Sequence, residues 1–417
     1  MIVLARARLT PQIVTQSGVP SMKHSISLRS KLAGAVALAT TTALLLAGCS
    51  SSGGDGGSTA SADPYIVGFA NAATGPTASV TLAYQEAAQL AIDTINAAGG
   101  IKGTKLKLAA EDDLGTADGA VAAINKLINV DNAPFTLINA SAPTSAAQPL
   151  AAQAGTVLLS LGATSNTLLN KDNLWINGVN IVRLVPALAD KLWSQGHRKI
   201  AFIGSADPFG QGALSVLKPY WTKLGGTIVA EQTFNSATDT DFSSQLLQIK
   251  AAKPDLVFAV GIGDVLGNVV KQARAAGITV PMAGPLATDG LLHVAGADAE
   301  GFEDVGPAVN NDLKTASFTT LKTDWAKASK LTLDWQPVTA YEGVYLYADL
   351  IKQALAAGKD PRDGTVLNSL IKKASFEDLM QGGTVKFAAD HSVLRQIALR
   401  TVTDGKFVIS STVTPKE

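Results

Sequence analysis

Residues 65–113, YIVGFANAATGPTASVTLAYQEAAQLAIDTINAAGGIKGTKLKLAAEDD, constrain this chain more than any other stretch, because they hold a strand, a loop, a helix and a second strand in that order. Residues 65–69 are a short apolar run that stops at Ala70 and Asn71, and a loop carrying Thr74, Gly75 and Pro76 follows. Val80, Ala83, Tyr84, Ala87, Ala88, Ala91, Ile92 and Ile95 then recur at helical spacing, which sets them along one apolar face. Gly99 and Gly100 stop that helix, since glycine accepts the left-handed conformation of a C-terminal cap. Residues 106–110 are the second strand, closing a βαβ unit whose crossover is expected to be right-handed.

The rest of the chain repeats that plan. Residues 118–129 put Val121, Ile124, Leu127 and Ile128 on one helix face, and 135–138 are the third strand. A loop at 141–144, a short helix at 145–154, a strand at 156–159 and a loop at 160–166 opening another helix follow. Further strands at 200–204, 228–234, 256–260 and 280–283 are separated by helices at 211–224, 242–251 and 265–276. Strands and helices alternating at this interval predict parallel sheets covered on both faces, and 417 residues with 47% hydrophobic side chains suit two such sheets better than one.

The N-terminus reads as targeting sequence. Lys23, Arg29 and Lys31 precede an alanine- and leucine-rich segment at 32–46, and Leu46-Ala47-Gly48-Cys49 ends it. That box resembles those of bacterial lipoproteins, where the cysteine is joined to diacylglycerol and the chain is cut just before it. Cys49 is the only cysteine, so no internal disulfide competes for it. Residues 1–48 are thus expected to be a signal peptide, with Met22 as an alternative start, and 49–62 a serine- and glycine-rich tether. The formal net charge is zero, which leaves no basic field for nucleic acid. His197, His293 and His391 are scattered without ligand spacing, so no metal site and no cofactor are expected.

The opening unit closely resembles that of the periplasmic solute-binding proteins of branched-chain amino acid ABC transporters. The match is carried by the first strand, by Thr74-Gly75-Pro76, by Ile95-Asn96-Ala97-Ala98-Gly99-Gly100-Ile101 and by Glu111-Asp112-Asp113, and it extends over nearly all of 65–407. The resemblance implies a two-lobed α/β type I periplasmic binding protein fold with three crossings between lobes. Carried over, one lobe is 63–181 with 308–386, and the other is 182–307 with 387–417.

It also implies a ligand site. Ser141 falls on the family's serine, and Gly162, Ala163 and Thr164 on its small-small-threonine segment, two loops that surround a ligand carboxylate with amides and hydroxyls. The physics agrees, because exposed amides, hydroxyls and a helix N-terminus favour an anion, although Ser141 and Thr164 suit ordinary helix caps as well. Phe209, in Asp207-Pro208-Phe209-Gly210-Gln211-Gly212, stands where the family usually has tyrosine. Leu286 stands where amino-acid binders commonly place an acid to meet the ligand ammonium, Asn180 and Ile181 where another often lies, and Asp289 is a substitute three residues on. Asp239-Thr240-Asp241-Phe242 reads as a helix cap. Gly261-Ile262-Gly263-Asp264-Val265-Leu266-Gly267 has a dinucleotide look, but the next strand offers no acid for a ribose.

No nucleophile elbow, no Walker sequence and no free thiol beyond Cys49 is present, so no catalytic residue is assigned. The expected protein is a monomeric, lipid-anchored, extracytoplasmic receptor that hands a small solute to an ABC permease and its ATPase. A sensor of the same fold, signalling to a membrane partner, is the alternative.

Overall fold

The computed structural model describes residues 63–75, 77–307 and 309–415. Cys49, the leader and the tether lie outside them, as does Pro76 of the first loop.

The opening unit forms β1 (Tyr65–Asn71), α1 (Ala78–Ala97) and β2 (Leu106–Asp112). Tyr84, Ala87, Ala88, Ala91 and Ile92 are buried along α1, and Gly99 and Gly100 follow it at φ +101° and +75°. Next come α2 (Ala117–Asn129), β3 (Phe135–Ile138), α3 (Ser141–Ala154), β4 (Val157–Ser160) and β5 (Leu174–Ile176). The five strands pair in parallel in the order β2-β1-β3-β4-β5. β3 and β4 are buried throughout, as strands covered on both faces must be.

The chain then leaves this sheet. It builds α4 (Ile181–Ser194), β6 (Lys199–Ser205), α5 (Pro208–Leu224), β7 (Thr227–Phe234), α6 (Ser243–Ala252) and β8 (Leu256–Val260). It continues through α7 (Asp264–Ala275), β9 (Met282–Pro285), α8 (Asp289–Ala295) and β10 (Glu303–Pro307). It next returns to the first sheet. α9 (Ala316–Ala328) and α10 (Trp335–Ala356) pack on α1, and α11 (Gly364–Ile371) packs on β4. Phe135 of β3 stacks on Tyr347 of α10 with ring centroids 4.7 Å apart. Gly343 lets α10 lie close to the sheet, because a Cβ there would press on Leu137 and Leu159 at 3.1 and 3.0 Å. After the small pair β11 (Ser375–Glu377) and β12 (Thr384–Lys386), the chain crosses a third time into β13 (Ile397–Thr403) and β14 (Lys406–Val413).

The second sheet runs β14-β13-β10-β9-β8-β6-β7. β7 to β10 are parallel, as expected, but β13 and β14 add antiparallel, joined by Asp404 and Gly405 at φ +51° and +68°. Positive φ at both turn residues matches the twist of a tight hairpin.

Several expected boundaries move. α3 starts at Ser141, inside the expected loop, because Ala140 takes φ +59° and turns the chain into the helix at once. The loop at 160–166 opens only a single 3₁₀ turn at Asn166–Leu168. β9 sits at Met282–Pro285, two residues past the expected strand, which puts Leu286 at its carboxyl end. The spacing of Tyr341, Val344, Tyr345, Ala348 and Ile351 predicts a helix over 341–357, and α10 begins six residues earlier, at Trp335. α4 has no counterpart among the expected elements, although Ile181, Leu184, Val185, Leu188 and Leu192 recur there at helical spacing and are buried.

Candidate functional site

Loops beyond the carboxyl ends of both sheets meet in a cleft made of three adjoining cavities. The first, of about 340 Å³, is lined by Thr77, Ala140, Ser141, Asp207, Phe209 and Ile262 among others. A narrow second cavity of about 30 Å³ shares Thr77, Ala140 and Ile262 with it and adds Tyr84, Gly162, Leu286, Thr288 and Trp335. The third, of about 380 Å³, continues past Thr288 to Asp289, Asp334 and Gln336.

α3 points its N-terminus into the first cavity, and no side chain caps it. Its free amides and the positive end of the helix dipole are therefore available to an anion. Ser141 is buried, and its Oγ accepts the N–H groups of Thr164 and Ser165, each at 3.2 Å. A hydroxyl has two lone pairs and one proton, so with both lone pairs occupied Ser141 has only a proton left to give. α5 is the opposite case: Asp207 caps it, accepting from Phe209 and Gly210 N–H at 2.9 and 3.1 Å and from Ser205 Oγ at 2.9 Å. An anion is favoured at α3 and opposed at α5. Phe209, Ile262 and Val265 supply apolar wall, with Gly263 at φ +62° turning the chain into α7.

The remaining expected residues divide. Gly162 lines the narrow cavity, and a Cβ there would collide with Asn139 Oδ1 and the Tyr84 hydroxyl, so only glycine fits. Ala163 and Thr164 are buried and line none of the three cavities. Ala163 N–H donates to Ser160 Oγ at 3.0 Å, and Thr164 Oγ1 is buried with no partner. Asn180 is the cap of α4, accepting from Val182 N–H and donating to Ser165 carbonyl, both at 3.1 Å, while Ile181 N–H donates to Thr164 carbonyl. Neither faces the cleft as an ammonium partner. Asp241 accepts from Ser243 N–H at 2.9 Å just before α6, a structural role as expected.

Leu286 does reach the cleft, at φ +61° and buried. An interior ion pair holds its turn. Arg400 of β13 donates through Nε to Asp304 of β10 at 2.6 Å and through Nη2 to Ala287 carbonyl at 3.0 Å, and Asp304 accepts Ala287 N–H at 2.7 Å. Asp289 lies in the third cavity, away from Ser141. Tyr84, Thr77 and Trp335 also line the cleft; in sequence each suits a helix core or cap, and only their convergence marks them. Asp112 and Asp113 tie loops: Asp112 accepts Thr74 Oγ1 at 2.6 Å, and Asp113 accepts Gly115 N–H at 2.8 Å although burial pushes its carboxyl up to about 6.

Comparisons agree with this geometry. The sequence profile described as periplasmic binding protein matches residues 64–406. The Leu/Ile/Val-binding protein of Escherichia coli K12 is 28% identical over 283 residues, covering 66% of this chain and 72% of that one. The substrate-binding protein LivJ of a Streptococcus pneumoniae branched-chain amino acid transporter, solved with isoleucine, superposes with TM-score 0.75 at 24% identity over 85% of this chain and 100% of that one. A solute-binding protein from R. palustris, solved with benzoate, gives 0.74 at 24% identity, covering 84% and 97%.

Proposed function

This chain belongs to the periplasmic binding protein family, and on that premise we propose that it is the lipid-anchored receptor of an ABC importer, taking a small carboxylate solute without a free α-ammonium. The observation that carries the ligand class is Ser141, whose hydroxyl has only a proton left to donate beside an uncapped helix N-terminus. Leu286 occupies the turn where an acid is expected in an amino-acid binder, and a buried ammonium without a carboxylate costs several kcal/mol. Phe209, Ile262 and Val265 favour an apolar or aromatic body, which the benzoate-bound relative accommodates in the same fold. A thermal-shift and calorimetric screen of the mature chain tests this. Benzoate or 4-methylpentanoate is expected to raise the melting temperature, because a ligand that binds only the folded form stabilises it, and leucine is expected to do little. Leucine binding tightly while its deaminated analogue fails would sink the reading.

Closure is proposed to follow hinge bending at the three crossings, with the ligand favouring the closed form through its contacts to both sheets. The anchor is proposed at Cys49. Cys49→Ser is expected to leave the protein uncut or released from membranes, and wild-type protein recovered soluble with residues before Cys49 retained would remove that claim.

A further inference from the structure

The third cavity has a different character from the first. Asp264 and Asp289 stand on the second sheet's side with Thr288 and His293, and Asp334 and Gln336 face them from the start of α10. Neither Asp264 nor Asp289 makes a side-chain hydrogen bond or ion pair with any described residue. Arg400, on the adjoining wall, donates through Nε to Asp304 at 2.6 Å, and its charge also acts on Asp334 and Asp289. Such carboxylates alone would be a solvated acidic face. A polar group in the wall argues otherwise. Gln336 is 8% exposed, and its side-chain amide bonds to no described protein group. It opens on this cavity, where a polar guest completes its bonding.

We propose that this cavity is a second subsite, taking an organic ammonium group between Asp289 and Asp264 on one side and Asp334 and Gln336 on the other. The guest is organic because no three acidic or imidazole groups among the described residues come together closely enough to hold a metal ion, and the cavity of about 380 Å³ is far larger than one. An ammonium donates to carboxylate, hydroxyl and amide oxygens alike, which is the set present. The subsite is separate from the turn at Leu286. In resting on the reading of the cleft as a solute site, it implies either a solute whose ammonium is held well away from its carboxylate or a separate small amine bound alongside.

Calorimetric titration of the mature chain with hexanoate, n-butylammonium and 6-aminohexanoate separates these. The expected result is that 6-aminohexanoate binds more tightly than hexanoate, or that n-butylammonium binds by itself, and that Asp289→Asn weakens the amine-bearing probe about tenfold, the loss of ~1.4 kcal/mol, with hexanoate unaffected. Asp289 is exposed at the first turn of α8, so the variant is expected to fold, and Asp264→Asn serves as the second variant. A gain confined to 6-aminohexanoate identifies the far end of one ligand, and binding of n-butylammonium that is additive with hexanoate identifies a separate amine. Amine binding without hexanoate binding would leave the subsite standing and remove the carboxylate reading. If no amine probe binds better than hexanoate at millimolar concentration, or if both variants bind the amine as the wild type does, the subsite is overturned.

Discussion

Arg395→Ala is expected to lower the unfolding free energy by about 3–5 kcal/mol, the cost of leaving a buried charge without its partner. Arg395 precedes β13 on the third crossing, and its side chain is fully buried with Glu342 of α10, which is 1% exposed. Its Nη2 donates to Glu342 Oε2 and to Asn177 Oδ1, each at 3.0 Å, and Asn177 follows β5 on the first crossing. Asn177 Nδ2 donates in turn to Glu342 at 3.2 Å and to Thr339 carbonyl at 3.1 Å, and Leu379 N–H donates to Glu342 Oε1 at 2.8 Å. One network thus ties two crossings and the helix that faces them. Removing the guanidinium strands the carboxylate, for which burial already raises the cost of ionisation. Urea unfolding at neutral pH measures the loss. Adding Glu342→Gln to the Arg395 variant is expected to recover part of it, since the stranded charge goes with it. A loss under about 1 kcal/mol, the range of an exposed ion pair, would show that the pair contributes little to folding.

Ser141→Ala is expected to weaken binding of the acid found in the screen by about 1.5–3 kcal/mol, the range for a hydrogen bond to a charged group. That corresponds to roughly a ten- to 150-fold rise in Kd. Calorimetry with benzoate or 4-methylpentanoate measures it. The variant also orphans the Thr164 and Ser165 amides, so its melting temperature without ligand is expected to fall as well. Two readouts keep the roles apart. A lower melting temperature with unchanged Kd would make Ser141 a brace between two loops and remove it from the ligand site.

Local pattern carried most of the fold. The helix face at Tyr84 to Ile92, the glycine stop at Gly99 and the apolar runs at β3 and β8 each depend on neighbours in sequence, so they were legible without tertiary information. Asp404-Gly405 was equally legible as a hairpin turn between alternating segments, yet β13 and β14 went unassigned. α4 was legible too, in the helical spacing of Ile181, Leu184, Val185, Leu188 and Leu192, whereas β5 is only three residues long.

The site divides along the same line. Ser141, Gly162, Phe209 and Leu286 reach the cleft because each stands at the end of a strand or the start of a helix, and position along a βα unit already says which end of the sheet a residue occupies. Composition and periodicity, with the family likeness of the opening unit, thus determined a two-sheet binding protein and most of the loops that line its cleft. Tertiary structure alone decided what those loops do. Ala163 and Thr164 share Gly162's loop but turn inward, Asn180 spends both ends of its amide on backbone, and Asp289 joins Asp334 and Gln336 in a cavity of its own. The Asp304–Arg400 and Glu342–Arg395 pairs join residues 96 and 53 positions apart. The physical reason is that burial and hydrogen-bond commitment depend on which groups meet across the cleft, and a one-dimensional pattern carries no record of partners so distant along the chain.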